Sequence, residues 1–153
     1  MSLREKIPQD IKDALRSKRA LDLTVLRMLQ SAIRNKEIEK GKKELSDEEV
    51  IEVVAGEIKK RKEASTEFEK VNRQEAADQE KAEIEVLMKY MPRQMSEDEI
   101  RAEVKKAVAD SGAIGIKDLG KVMKIFIPAV KGKADGGLVN QIVREELEKL
   151  EQK

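Results

Sequence analysis

The sequence of 153 residues contains no cysteine, no histidine and no tryptophan. Without histidine there is no Ser-His-Asp or Cys-His nucleophile system and no imidazole ligand for a metal. Without cysteine there is no disulfide framework, no thiolate zinc site and no thiol nucleophile. Catalysis would have to use carboxylates, lysines, hydroxyls or a borrowed cofactor. We therefore predict no catalytic residue, no metal site and no cofactor.

The chain also lacks an excess of charge of one sign, because 32 lysines and arginines accompany 31 aspartates and glutamates. Charged residues make up 41% of the chain, and in this balance they indicate solvated helix faces rather than a polyelectrolyte tail. No apolar run approaches the roughly 20 residues that span a bilayer, and the N-terminus lacks the apolar segment of a signal peptide. We expect a monomeric cytoplasmic protein with no membrane partner.

Helical signals run along the whole chain. Three capping boxes place a serine before a helix and a glutamate three residues later: Ser2 with Glu5, Ser46 with Glu49, and Ser96 with Glu99. Apolar residues follow at helical spacing, and no segment alternates apolar and polar residues convincingly. These signals predict an all-α fold, with an N-terminal domain of long antiparallel helices at 1–92 and a compact C-terminal domain of short helices at 93–153.

Glycine and proline indicate where helices end. Gly41 suits the left-handed end of the second helix. Pro8 should either kink the first helix or mark its start, because proline removes an interior hydrogen bond. By the same argument Pro128 should break a short helix that runs from about residue 117 to 127. The last helix is expected to begin near Asp135, a good N-cap.

Six of the eight glycines lie between Gly112 and Gly137. Within this stretch Gly115, Gly120 and Lys121 have the spacing of a phosphate-binding loop, but Val122 stands where that motif needs serine or threonine. Apolar residues also run through it at helical spacing: Leu119, Val122 and Phe126. Since a helix cannot also be a phosphate-cradling loop, we interpret the spacing as coincidence.

The same stretch contains a local excess of lysine beside glycine. Five lysines on one predicted helix face and in the following turn would contact phosphates: Lys117, Lys121, Lys124, Lys131 and Lys133. Three glycines would let a partner approach the last helix: Gly132, Gly136 and Gly137. The alternative is that the glycines form a tight interhelical turn and the lysines are ordinary solvated surface. The spacing by itself favours this alternative, and both interpretations stay open.

Two acidic clusters, Asp47-Glu48-Glu49 and Glu97-Asp98-Glu99, directly follow capping serines. Negative charge is stabilised there by the helix dipole, so we interpret both clusters as helix starts rather than as metal or acid–base sites. Aromatic residues make up only 2% of the chain, which argues against a protein that stacks the bases of a single strand. The backbone of a duplex or a tRNA remains open as a partner.

The sequence resembles the YqeY family of small bacterial proteins along nearly its whole length. In the C-terminal half the likeness lies in the segments 118–124, 131–136, 138–140 and 144–147, with Pro128. In the N-terminal half it lies in 26–28, 57–61, 90–92 and 94–96. From about Arg93 onward the chain is also similar to the tail domain of GatB, a subunit of the tRNA-dependent amidotransferase.

This resemblance implies an RNA-related role. In the amidotransferase another subunit hydrolyses glutamine, and the kinase-like body of GatB activates the tRNA-linked Glu or Asp and transfers ammonia to it. The tail domain is thought to engage the body of the tRNA. This chain has the tail and lacks that body, so we expect no independent activity. Proteins with the shared domain nevertheless often inherit the label of carbon–nitrogen ligase with glutamine as amido-N-donor.

Three hypotheses follow. The leading one is a non-enzymatic module that binds tRNA or another structured RNA through the lysines and glycines named above. The second is an accessory or catalyst in glutamine-dependent carbon–nitrogen ligation, which rests on the domain resemblance alone. The third is a helical module that docks a protein partner through the N-terminal helices, which contiguous exposed apolar surface on the helix from Ser46 to Val71 would favour.

Overall fold

The computed structural model describes residues 1–152. In this part of the chain there are seven α-helices, one short 3-10 helix and no strand. The helices are α1 (Leu3–Arg16), α2 (Ala20–Glu39), α3 (Asp47–Lys70), α4 (Gln74–Met88), α5 (Glu97–Ser111), the 3-10 helix (Ile116–Asp118), α6 (Leu119–Val130) and α7 (Gly136–Glu151). The prediction of an all-α fold is confirmed.

Each of the three predicted capping boxes is present, at the starts of α1, α3 and α5. The serine oxygen accepts a hydrogen bond from the glutamate N–H three residues later, at 3.2 Å for Ser2, 3.2 Å for Ser46 and 3.1 Å for Ser96. The glutamate side chain in turn accepts from the serine N–H. Since a cap of this kind contributes about 1 kcal/mol, these local signals fix where three helices begin.

The described chain divides into two compact units, Met1–Met91 and Pro92–Lys153, called below the N-terminal unit and the C-terminal unit. Each unit has its own apolar core. In the N-terminal unit α1 to α4 bury a cluster that includes Ile7, Leu29 and Leu87. In the C-terminal unit α5, α6 and α7 bury a cluster that includes Phe126 and Leu147. The units are therefore described separately.

Pro128 behaves differently from the sequence prediction, and Pro8 fits one of the two alternatives predicted for it. α6 continues through Pro128 to Val130, so the predicted break at Pro128 was wrong. Pro128 lies on an exposed side of α6, where water can satisfy the carbonyl that loses its partner, while Phe126 and Val130 keep the helix anchored in the core. α1 likewise begins at Leu3 and runs past Pro8, so Pro8 does not mark the helix start.

Other predicted helix ends agree closely with the structure. α2 ends at Glu39, and Gly41 has a φ of 78°, which is the left-handed conformation expected of it. Asp135 caps α7, accepting from the Leu138 N–H at 3.0 Å. The helix expected to start near residue 117 begins as the 3-10 helix and becomes α-helical at Leu119. Within residues 1–152, no helix is both long enough and apolar enough to cross a membrane.

Candidate nucleic-acid interface

The apolar stripe of α6 decides which way its lysines face. Val122, Phe126 and Val130 are buried in the core of the C-terminal unit. Because these residues recur every four positions, they occupy one face of the helix and leave Lys121 and Lys124 exposed on another. Lys117 in the 3-10 helix and two lysines after α6 are exposed as well. We call this set the lysine surface: Lys117, Lys121, Lys124, Lys131 and Lys133.

Most of the lysine surface has no close counter-charge within the described part of the chain. Among residues 1–152, no carboxylate lies within ion-pair distance of four of its members: Lys117, Lys121, Lys124 and Lys133. The two acids of the same stretch are engaged by backbone N–H groups instead. Asp118 accepts from Ile114 N–H at 2.9 Å, and Asp135 accepts from Leu138 N–H at 3.0 Å. The lysine charges are thus available to an external anion.

The two glycines at the start of α7, Gly136 and Gly137, have different surroundings. A Cβ built on Gly136 would meet no atom within 4 Å, whereas one on Gly137 would lie 3.2 Å from Asp135 Oδ2. Gly137 therefore gives the capping carboxylate room, and packing within the chain does not require Gly136. Since the Asp135 carboxylate already occupies this helix end, the lysines rather than the helix N-terminus would supply the attraction for a phosphate.

Gly132 has a conformational role in the turn between α6 and α7. Its φ of 78° lies in the left-handed region that glycine adopts without strain. The turn is closed by a hydrogen bond of 2.9 Å from Lys133 N–H to the carbonyl of Val130. The close approach of a partner suggested by the sequence is therefore not needed to account for this glycine.

The turn is also held by residues that sequence reasoning did not select. Gln94 Nε2 donates to the Gly132 carbonyl at 2.8 Å, and Met95 N–H donates to the Lys133 carbonyl at 2.8 Å. These residues lie 38 positions apart along the chain, so no spacing rule connects them. The one sequence signal at Gln94 and Met95 is that they lie in a segment that resembles the YqeY family.

The coincidental phosphate-loop spacing is a helix start in the structure. Gly115 is buried against the Glu151 side chain, so an added Cβ would collide with that carboxylate. Glu151 Oε1 accepts a hydrogen bond of 2.8 Å from Ile116 N–H. The 3-10 helix at Ile116–Asp118 follows, and α6 begins at Leu119. The motif is therefore largely helical, as the spacing of its apolar residues predicted.

A second basic group in the C-terminal unit is surrounded by acids. The Arg101 guanidinium lies 2.9 Å from Glu146 Oε1, 2.7 Å from Glu145 Oε2 and 3.4 Å from Glu97 Oε1. Its hydrogen bond holds the pKa of the Glu145 carboxyl below the usual range. The hydrogen bonds that Arg101 donates to Glu145 and Glu146 raise its own pKa in return. These ion pairs connect α5 with α7, which also pack through the apolar core.

The acidic clusters predicted as helix starts occupy those positions. Asp47-Glu48-Glu49 forms the first turn of α3, and Glu97-Asp98-Glu99 forms the first turn of α5. Glu99 also receives two hydrogen bonds from Arg93, at 3.1 and 2.7 Å. These bonds lower the pKa of Glu99 to about 2. No group of acidic side chains within residues 1–152 is placed to hold a metal ion.

The N-terminal unit has an open groove of about 1000 Å³ between α2 and α3. Three lysines on its rim already pair with glutamates: Lys36 with Glu39, Lys40 with Glu49, and Lys60 with Glu57. Of the large apolar side chains from Ser46 to Val71, Val71 is strongly exposed, whereas those within α3 are not. The three lysines of the groove are thus matched by glutamates, and within the described residues the exposed apolar surface on this segment is not contiguous.

Comparison with known proteins places the chain in a family. The family model described as Yqey-like protein matches residues 4–147. The chain belongs to the YqeY family. This match includes residues of both units of the YqeY-family chain and contains every member of the lysine surface.

Two curated relatives are similar to this YqeY-family chain. Both carry the name altered inheritance of mitochondria protein 41, mitochondrial, one from Lachancea thermotolerans and one from Kluyveromyces lactis. Each is 33% identical over 106 residues, which are 68% of this chain and 57% of the relative. The matched segment therefore spans little more than half the length of these relatives.

Proposed function

We propose that this YqeY-family chain binds structured RNA, with tRNA as the first candidate, through the lysine surface and catalyses no reaction by itself. The observation that carries the proposal is the set of four exposed lysines without a carboxylate partner in residues 1–152: Lys117, Lys121, Lys124 and Lys133. The resemblance to the GatB tail suggests tRNA as the ligand. The Lys131 ammonium would add to the same surface.

The chemistry of the surface favours recognition of a phosphate backbone. Lysines that neutralise phosphates release bound counterions, so affinity falls steeply as salt rises. The C-terminal unit offers no aromatic ring for base stacking, because Phe126 is buried in its core. Contacts would therefore depend on the shape and charge of a folded RNA more than on the identity of its bases.

The test is a titration of the purified chain with purified tRNA at several salt concentrations. The wild-type protein should lose affinity steeply with salt, and a Lys121→Ala, Lys133→Ala variant should bind more weakly with a shallower dependence. Each phosphate contact removed should lower the slope of log affinity against log salt by about 1. If this variant binds tRNA as well as the wild type does, the assignment of the surface is wrong.

A matched control removes two lysines elsewhere. Lys59 and Lys62 are exposed on α3, and a Lys59→Ala, Lys62→Ala variant changes the net charge by the same amount. We expect its affinity for tRNA to stay close to that of the wild type. An equal loss in the control would mean that the attraction reflects total charge rather than the lysine surface.

The amidation alternative is tested separately, by ammonia release from glutamine with and without ATP and misacylated tRNA. We expect none from the purified chain, and release would restore the enzymatic hypothesis. A monomer in the cytoplasm is also part of our proposal. Size-exclusion chromatography and cell fractionation test these two points, the second with particular interest because the curated relatives are named mitochondrial.

A further inference from the structure

The turn between α6 and α7 is fastened to the segment that precedes α5. Two hydrogen bonds cross from that segment to the turn: Gln94 Nε2 to the Gly132 carbonyl, and Met95 N–H to the Lys133 carbonyl, both at 2.8 Å. The backbone on either side of Lys133 is thus anchored from outside its own turn. Lys133 itself remains exposed.

Both hydrogens of the Gln94 amide are used in this arrangement. Nε2 donates to the carbonyl of Pro92 at 2.9 Å as well as to that of Gly132. Because both partners are acceptors, only the nitrogen end of the amide can face them, and an oxygen there would be repelled. The side chain is half-buried, so water competes poorly for these bonds. Gln94 therefore joins two backbone carbonyls that have no local connection.

We infer that Gln94 is a positioning residue for RNA binding, which acts by fixing the backbone that presents Lys133. This inference rests on the proposed function. Gly132 has the conformational freedom of glycine and a left-handed φ, so an anchor from outside the turn restricts it beyond its own hydrogen bond from Lys133 to Val130. A turn that is ordered before binding loses less conformational entropy when its lysine contacts a phosphate. Gln94 itself would not touch the RNA.

The experiment is a double-mutant cycle on tRNA affinity at low salt. Gln94→Met keeps the length of the side chain and removes both donors. We expect it to weaken binding by roughly threefold to tenfold, the effect of losing a side-chain hydrogen bond. In a Lys133→Ala background the same change should have no further effect, since the lysine through which it acts is gone. In a Lys121→Ala background the full effect should remain.

Equal losses from Gln94→Met in the wild-type and Lys133→Ala backgrounds would overturn the inference, because the residue would then act elsewhere. The inference would also be overturned if Gln94→Met left the affinity for tRNA unchanged in the wild-type background while the Lys121→Ala, Lys133→Ala variant bound weakly. If the wild-type chain fails to bind tRNA at all, the inference falls together with the proposed function. Should Gln94→Met fail to fold, Gln94→Asn takes its place, because the shorter amide cannot reach both carbonyls.

Discussion

Two groups of basic side chains in the C-terminal unit have opposite surroundings. Arg101 lies between three carboxylates, from Glu97, Glu145 and Glu146, and only a quarter of its side chain is exposed. On the lysine surface, Lys121 and Lys124 have no carboxylate partner within residues 1–152 and are exposed. Arg101 is neutralised by its neighbours, whereas Lys121 and Lys124 have no such neighbours among the described residues.

The difference shows why the net charge of this protein says little about its ligands. A net charge of +1 suggests no preference for anions, yet the average hides where the acids lie. Glu97, Glu145 and Glu146 surround Arg101, while Asp118 and Asp135 accept from backbone N–H groups. Within residues 1–152 no carboxylate forms an ion pair with Lys121 or Lys124, so their charges can attract an anion at short range.

The largest expected effect comes from reversing the charge of two lysines on the lysine surface. Lys121→Glu with Lys124→Glu should weaken tRNA binding by roughly 100-fold at low salt, because two phosphate contacts become repulsions. The melting temperature should change little, since neither lysine has an ion pair to lose within residues 1–152. Filter binding and thermal unfolding measure the two quantities. If this variant still bound tRNA strongly, the lysine surface would not be the tRNA-binding site.

The reciprocal change removes the paired side chain of Arg101. Arg101→Met should lower the melting temperature, because Glu146 has a side chain only 8% exposed and would lose one of its two ion pairs within residues 1–152, keeping that with Lys149. The affinity of the folded variant for tRNA should stay within about twofold of the wild type. A large loss of affinity without a loss of stability would show that Arg101, too, contacts RNA.

Acid should reduce the stability that paired carboxylates contribute, and it should not change the contribution of the lysine surface. Glu99 has a pKa of about 2, lowered from an ordinary value of 4.5 by the hydrogen bonds from Arg93. A depressed pKa contributes stability that is complete above pH 4.5 and is lost as the pH falls toward 2. The difference in unfolding free energy between the wild type and Glu99→Gln should shrink across this window. Lys121→Ala should follow the wild-type curve.

The smallest expected effect lies near neutral pH. The chain has no histidine, so no side chain has an ordinary pKa between pH 6 and 7.5. Stability and tRNA affinity should both be nearly constant across this interval at fixed salt, for either group of basic side chains. A transition near pH 6.5 in chemical denaturation or in binding would reveal a strongly perturbed carboxylate or lysine and would point to an active site.

Local features of this fold were predictable from the sequence. The three capping boxes and the Asp135 cap each join residues only three positions apart, so their geometry follows once a helix starts there. The outward direction of Lys121 and Lys124 followed from the apolar stripe of the same helix. Pro128 was misjudged because its cost depends on whether water reaches the carbonyl it leaves unpaired, which only packing decides.

Long-range partners were beyond sequence reasoning. Gln94 and Gly132 are 38 residues apart, and Arg101 and Glu146 are 45 apart, with no periodicity to connect them. In a chain that is 41% charged, many alternative pairings are compatible with the composition. Which of them form depends on which helix faces meet.

Composition and local pattern are enough to show that this protein is helical, where several helices begin and end, that histidine and cysteine chemistry is excluded, and that the chain resembles the YqeY family. These properties depend on composition or on residues close together in the sequence. The pairing of charges, and the anchoring by Gln94 of the turn that bears Lys133, depend instead on how the helices pack. Coulomb attraction and hydrogen bonding act between atoms close in space, and distance along the chain does not specify that closeness.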